Sequence, residues 1–142
     1  MARRPGFTLI EMVVVILLLG ILAGVAAPKL FKTTSDATEN GLKQTLSTVR
    51  DAIDLYTNKN TGKLPPCTGD GSDFRTALGE FLRNEIPASP VGAKNNDVAP
   101  TNAQPTVADP APTTGWKFNT VTGDFICNSP AASATGATYD QF

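Results

Sequence analysis

A chain of 142 residues, 41% of them apolar and many of those gathered between Phe7 and Ala27, has room for one modest core and not for two independent domains. A formal net charge of -1 gives no electrostatic reason to expect nucleic acid or an anionic surface as the main partner. Histidine is absent, which removes the commonest general base and the commonest zinc ligand, and no serine, cysteine or paired-carboxylate set has catalytic spacing; the composition speaks against an enzyme.

The chain opens with Arg3 and Arg4, continues through Gly6-Phe7-Thr8-Leu9-Ile10-Glu11, and enters an unbroken apolar run from Met12 to Ala27. As a helix, residues 7–27 span about 32 Å at 1.5 Å per residue, close to the hydrocarbon thickness of a bilayer. Gly20 and Gly24 within the run are small residues suited to close helix contact. Two readings compete. An ordinary secretory signal peptide would be cut near Ala23-Gly24-Val25-Ala26-Ala27, but it gives no reason for Glu11. A retained membrane helix keeps its basic end in the cytoplasm by the positive-inside rule and exports the rest. It then carries an ionisable group inside the apolar segment, at a cost of a few kcal/mol that calls for a partner. A positively charged amino terminus on a neighbouring chain is one such partner.

The string Gly6-Phe7-Thr8-Leu9-Ile10-Glu11, between a basic leader and an apolar run, resembles the processing site of type IV pilins and type II secretion pseudopilins. The resemblance implies that a prepilin peptidase cuts between Gly6 and Phe7 and that Phe7 becomes the N-methylated terminus. It implies that Glu11 pairs with the terminal amine of an adjacent subunit during assembly. It also implies that the stretch from Gly20 to Pro28 loses helical structure as subunits pack into a filament. From the residues alone, Pro28 marks the membrane boundary, since an internal proline removes a helical hydrogen bond.

Lys29 and Lys32 flank the end of the apolar segment, where they reach lipid headgroups. Leu42, Leu46, Val49, Ile53 and Tyr56 then recur at steps of four, three, four and three, which is one face of a helix; Lys43, Arg50, Asp51 and Asp54 lie opposite. One long helix to about Asn60 accounts for this, ended by Gly62, Pro65 and Pro66, with residues 33–41 as its weakest part. A short helix is expected over residues 73–84, burying Phe74, Leu78, Phe81 and Leu82, with Ser72 or Asp73 as its cap. Residues 93–114 read as a long exposed Pro-rich loop. Residues 116–119 and 124–128, around a turn at 120–123, read as a β-hairpin. The tail from Ser129 is expected to be poorly ordered unless it docks.

The second half is similar to the major pseudopilin of type II secretion in three further places: Asn60-Thr61-Gly62-Lys63-Leu64-Pro65, Ile86-Pro87-Ala88-Ser89-Pro90-Val91-Gly92, and Gly115-Trp116-Lys117-Phe118-Asn119 running on through Gly123-Asp124. It departs from that family at Val91, where members commonly carry tryptophan, and in having the Pro-rich loop in place of an aspartate-rich calcium loop. Calcium is therefore only a weak expectation. Its candidates are Asp97, Asp109 and Asp124, for an ion that needs six to eight converging oxygens. Asp70 and Asp73, flanked by glycines, read as a turn. Cys67 and Cys127 match no metal spacing; on an exported domain they are expected to form a disulfide, with two buried free thiols as the alternative.

The expected architecture is α+β: a leader over 1–6, a transmembrane and filament-core helix over 7–28, its amphipathic continuation over 29–62, and a small exported domain over 63–142 with a short helix and a C-terminal antiparallel hairpin. The function this implies is structural. A non-enzymatic filament subunit polymerises from the inner membrane, most simply as a secretion pseudopilin. A surface pilus subunit for adhesion, motility or DNA uptake is the alternative, and a membrane-anchored binding module is remote. Its partners would be the prepilin peptidase, further copies of itself, minor pilin-like subunits, an inner-membrane assembly platform and lipid, with no nucleic acid.

Overall fold

A computed structural model describes residues 6–142, apart from the side chains of Pro28, Phe31 and Lys32. The leader up to residue 5, with Arg3 and Arg4, lies outside the described residues, as do the side chains through which Pro28 and Lys32 were expected to act. The chain forms two compact units, Met1–Asp36 and Ala37–Phe142. Helix α1, Leu9–Lys59, contributes to both.

In the first unit the apolar run makes a helix that leaves its side chains uncovered: Leu9 is 82% and Ile16 64% exposed. Its segment Leu9–Ala27, with mean hydropathy 2.8, is long and apolar enough to cross a membrane. The backbone stays helical through Pro28 and through residues 33–41, the part expected to be weakest. The hydroxyls of Thr33 and Thr34 donate to the carbonyls of Lys29 and Leu30 at 2.9 and 2.7 Å, back-bonding that satisfies them within the helix at a slight cost to its stability.

The second unit is built on the remaining part of α1. Leu42, Leu46, Val49 and Ile53 are buried, as their spacing predicts, and Ala52 joins them. The helix ends where the Gly62 N–H, on a residue with φ 83°, donates to the Thr57 carbonyl at 2.8 Å. Helix α2, Ser72–Leu78, is shorter than the expected 73–84 and turns out at Gly79. Neither Ser72 nor Asp73 is its N-cap; Gly71 is, in the left-handed region. A Cβ there would sit 2.6 Å from that of Val98, so the close approach requires glycine as much as the backbone angle does.

The expected hairpin forms from β2, Trp116–Asn119, and β3, Phe125–Cys127, with Trp116 opposite Cys127 and Phe118 opposite Phe125. The Pro-rich loop departs from expectation. Its residues Val98–Thr101 form β1, parallel to β2, so the sheet has three strands in the order β1-β2-β3. Pro100 has no N–H to give, which an edge strand tolerates and a central one does not. Val98 is fully buried. The tail also docks. Ala132 bridges to Thr138, a short 3-10 turn covers Tyr139–Gln141, and the buried Glu39 carboxylate accepts the Ala134 N–H at 2.9 Å.

Four aromatic side chains carry much of the core. Phe74 lies 4.6 Å from Phe118 and 5.8 Å from Phe125 between ring centroids, and Trp116 lies 5.3 Å from Phe125. All four are fully buried, each contributing about 1.5–3 kcal/mol through area removed from water. The Trp116 indole N–H donates to the Pro87 carbonyl at 2.9 Å, which satisfies its one polar atom. The expected disulfide is absent: Cys67 and Cys127 are separate buried thiols. Cys67 meets the edge strand β1, whereas Cys127 stands on β3 with β2 between them.

Candidate functional site

The start of α1 is where the sequence motif meets a defined geometry. Gly6 is exposed coil and Phe7 is 76% exposed, so the Gly6–Phe7 bond and the Phe7 nitrogen are open to solvent. Thr8 precedes the helix and Glu11 lies in its first turn. The Thr8 N–H and hydroxyl both donate to Glu11 Oε2, at 2.8 and 2.7 Å, and the Glu11 N–H donates back to Thr8 Oγ1 at 3.3 Å. This is a capping box, Thr-x-x-Glu immediately before an apolar run. It satisfies backbone donors that a helix start leaves without partners, and it sets a negative charge at the positive end of the helix dipole.

The box adds a role that the sequence argument did not give Glu11. From the residues alone, Glu11 is a carboxylate in need of a partner on another chain. The signal for the box was present in Thr8-Leu9-Ile10-Glu11. Both bonds from Thr8 use Oε2, so among the described residues Oε1 has no partner and remains open to a donor from elsewhere. Downstream, a Cβ added at Gly20 or Gly24 would meet nothing within 4 Å. Val13, Ile16, Leu17 and Ile21 flank a shallow apolar depression at Gly20. A second helix can approach most closely there.

The weak calcium candidates are not brought together. Asp97 pairs with Arg75 at 3.1 Å. Asp109 pairs with Lys117 at 2.6 Å and accepts from Asn128 at 2.9 Å. Asp124 accepts from the hydroxyls of Thr106 and Thr122 at 3.1 and 2.6 Å. Among the described residues no three Asp, Glu, Cys or His side chains are grouped to hold a metal ion. Asp70 lies in a turn, as expected, and accepts the Ser72 N–H at 3.1 Å; Asp73 is instead in the first turn of α2, where it accepts the Thr68 N–H at 3.0 Å.

Residues 1–27 match the family model for the prokaryotic N-terminal methylation motif. The chain is 37% identical over 65 residues to the type IV narrow pilus major component PilA5 of Thermus thermophilus, covering 46% of this chain and 55% of that one. It is 36% identical over 61 residues to the type II secretion system core protein G of Klebsiella pneumoniae, covering 43% and 44% of the two chains. With the core protein G of Aeromonas hydrophila it shares 35% identity over 71 residues, covering 50% and 48%. The chain thus spans about half the length of these relatives. No solved structure matches it. The chain thus carries the prokaryotic N-terminal methylation motif over residues 1–27, ahead of a capped and uncovered apolar helix and a small α+β unit, and about half of it is similar to pilin and pseudopilin relatives.

Proposed function

We propose that this chain is a structural subunit of a pilus-like filament, most specifically a pseudopilin of a type II secretion system. In this reading a prepilin peptidase removes residues 1–6 and Phe7 is N-methylated. The helix Leu9–Ala27 holds the subunit in the inner membrane with its N-terminus cytoplasmic until assembly. The Ala37–Phe142 unit is exported and becomes the outer layer of the filament. Further copies, minor pilin-like subunits and an inner-membrane assembly platform are its partners. Catalysis and a cofactor have no part in it.

The observation that carries the reading is the capped start of α1. The Gly6–Phe7 bond stands in open chain, the helix begins at Leu9, and among the described residues Glu11 Oε1 has no partner, which supports cleavage there and pairing with an incoming amine. The uncovered apolar run behind it needs either lipid or other helices as its surroundings. The similarity to PilA5 favours a second reading, a surface pilus subunit.

The first experiment is mass analysis of the protein from its native membrane. The expected terminus is methylated Phe7. A terminus near Ala27 means an ordinary signal peptide and overturns the filament reading. Deletion of the coding region then separates the two filament types. Loss of exported enzymes from the medium with surface fibres intact supports the pseudopilin, and the reverse supports the pilus.

A further inference from the structure

The two thiols sit on opposite sides of a barrier. Val98 on β1 directs both its backbone polar groups away from β2: its N–H donates to the Asp70 carbonyl at 2.9 Å, and its carbonyl receives the Cys67 Sγ at 3.7 Å. Cys67 therefore lies beyond the outer edge of the sheet. Cys127 lies on β3, with its Sγ 3.5 Å from the Ser89 hydroxyl. Val98, Trp116 and Cys127 are aligned across the three strands, so the Trp116 side chain stands between the other two on one face. Two strand spacings put the Cα atoms of Val98 and Cys127 about 9–10 Å apart, and Cys67 is further out. A disulfide needs Cα atoms within about 7 Å. A bridge between Cys67 and Cys127 requires Trp116 to leave its place and β1 to leave the sheet.

Burial protects both groups while the fold lasts. Cys67 is 6% exposed and Cys127 fully buried. Burial, helped by the Asp73 charge, pushes the Cys67 thiol up to about 12, and burial raises Cys127 as well. The thiolate, which is the reactive form, is scarce at both positions. In the unfolded chain neither protection exists, and closing the intervening loop carries only a modest entropic cost.

We propose that Cys67 and Cys127 form a redox-sensitive folding switch: both stay reduced in the native protein, and a Cys67–Cys127 disulfide made in the unfolded chain locks that chain out of its native sheet. The reaction is thiol–disulfide exchange with a small-molecule or protein disulfide. One cysteine thiolate attacks the oxidant's S–S bond and expels a thiolate. The second cysteine then attacks the mixed disulfide and expels the other. Two protons and two electrons pass from the cysteines to the oxidant, which leaves as two thiols. A covalent state open only to the unfolded chain draws the folding equilibrium away from the native one. In an oxidising compartment the chain must fold before it is oxidised.

The test uses the full chain in detergent micelles. A thiol reagent is expected to find no reactive cysteine in the native protein and two per chain in urea. The bridged monomer, prepared in urea with oxidised glutathione and identified by the loss of two hydrogens, is expected to keep the emission of exposed Trp116 after urea is removed. Reductant then restores the native emission. Cys67→Ser and Cys127→Ser are expected to refold equally with and without oxidant. Native protein lighter by two hydrogens overturns the proposal, and so does a bridged monomer that recovers native Trp116 emission without reductant. If a serine variant fails to fold, the reductant arm on the unsubstituted chain decides the matter.

Discussion

The Arg50 guanidinium, on the face of α1 that periodicity assigns to solvent, reaches across to the Phe125 carbonyl, donating from Nε at 3.1 Å and from an η nitrogen at 2.9 Å. The same η nitrogen donates to the main-chain oxygen of Phe142 at 2.6 Å. One cation thus fastens β3 and the tail to the helix. Arg50→Met keeps much of the stem's packing and removes all three charge-assisted bonds. It is expected to lower stability by about 1.5–3 kcal/mol, the usual worth of hydrogen bonds from a charged group. Urea unfolding of the full chain in micelles, followed by Trp116 emission, measures it. A midpoint equal to that of the unsubstituted protein would show that β3 and the tail do not depend on Arg50.

Asp109 sets an acid limit on the loop that follows β1. The Lys117 ammonium donates to its carboxylate, and with the Asn128 amide holds the Asp109 carboxyl below the usual carboxylate range. A folded-state value below the unfolded one adds stability above the unfolded pKa, and that part is lost as pH falls through the folded value. Its contribution is therefore whole near neutrality and declines below about pH 4. Asp109→Asn removes the titration and keeps the shape. The unfolding midpoint of the variant is expected to fall less steeply between pH 5 and pH 2, as read by a pH series of urea titrations. An identical slope in the two proteins would exclude Asp109 as an acid-sensitive group.

Much of this architecture is legible in the residues because it rests on local periodicity. The α1 face of Leu42, Leu46, Val49 and Ile53 and the alternation of Trp116, Lys117 and Phe118 each need only neighbours a few positions away. The motif from Gly6 to Glu11 is local too. What escaped detection is non-local or too short to signal itself. β1 is four residues long and includes a proline, and it exists because Trp116–Asn119 offers a free edge. Arg50 looks solvated until β3 and the tail are placed against it. The cysteine pairing failed for a related reason: counting two thiols beyond the apolar run says nothing of which strands separate them. The Thr8–Glu11 box is different: its signal is local, but it lies within the same residues as the longer processing motif.

Glu11 caps its own helix, and in the proposed filament it also offers a charge to a neighbour; the two roles are separable. Gln at the third helical position still closes a capping box but carries no charge. Glu11→Gln is therefore expected to retain the helix start while losing the pairing with a neighbouring amine; Glu11→Val loses both. Both variants are expected to insert and to be cut after Gly6, and both to assemble poorly. Filament yield by shearing and quantitative blotting, alongside the mature N-terminus by mass, reads the two steps separately. Normal yield from Glu11→Gln with low yield from Glu11→Val would assign the effect to the cap and rule out the charge pairing.

Two glycines give opposite expectations for the same substitution. A Cβ at Gly115 would lie 2.1 Å from the Asn95 carbonyl oxygen and 2.9 Å from the Ser89 Cβ. The Gly115 N–H also donates to Asn95 Oδ1 at 2.6 Å, so the residue lies directly against the backbone that leads into β1. Neither obstacle is the far end of a flexible side chain, and relief means shifting β2 or residues 95–97. Gly115→Ala is expected to cost about 3 kcal/mol or more, the upper part of the range for overpacking. Gly41 lies inside α1, exposed, with nothing within 4 Å of an added Cβ. There alanine gains only the better helix propensity, and Gly41→Ala is expected to stabilise by about 0.5–1 kcal/mol. Thermal unfolding of both variants by far-UV circular dichroism checks the pair, with Gly41→Ala melting above the unsubstituted protein and Gly115→Ala well below it. A Gly115→Ala variant that melts with the unsubstituted protein would mean the contact with Asn95 is looser than 2.1 Å implies. A Gly41→Ala variant that melts lower would mean residue 41 meets something in solution, such as a neighbouring subunit, that leaves no space for a methyl group.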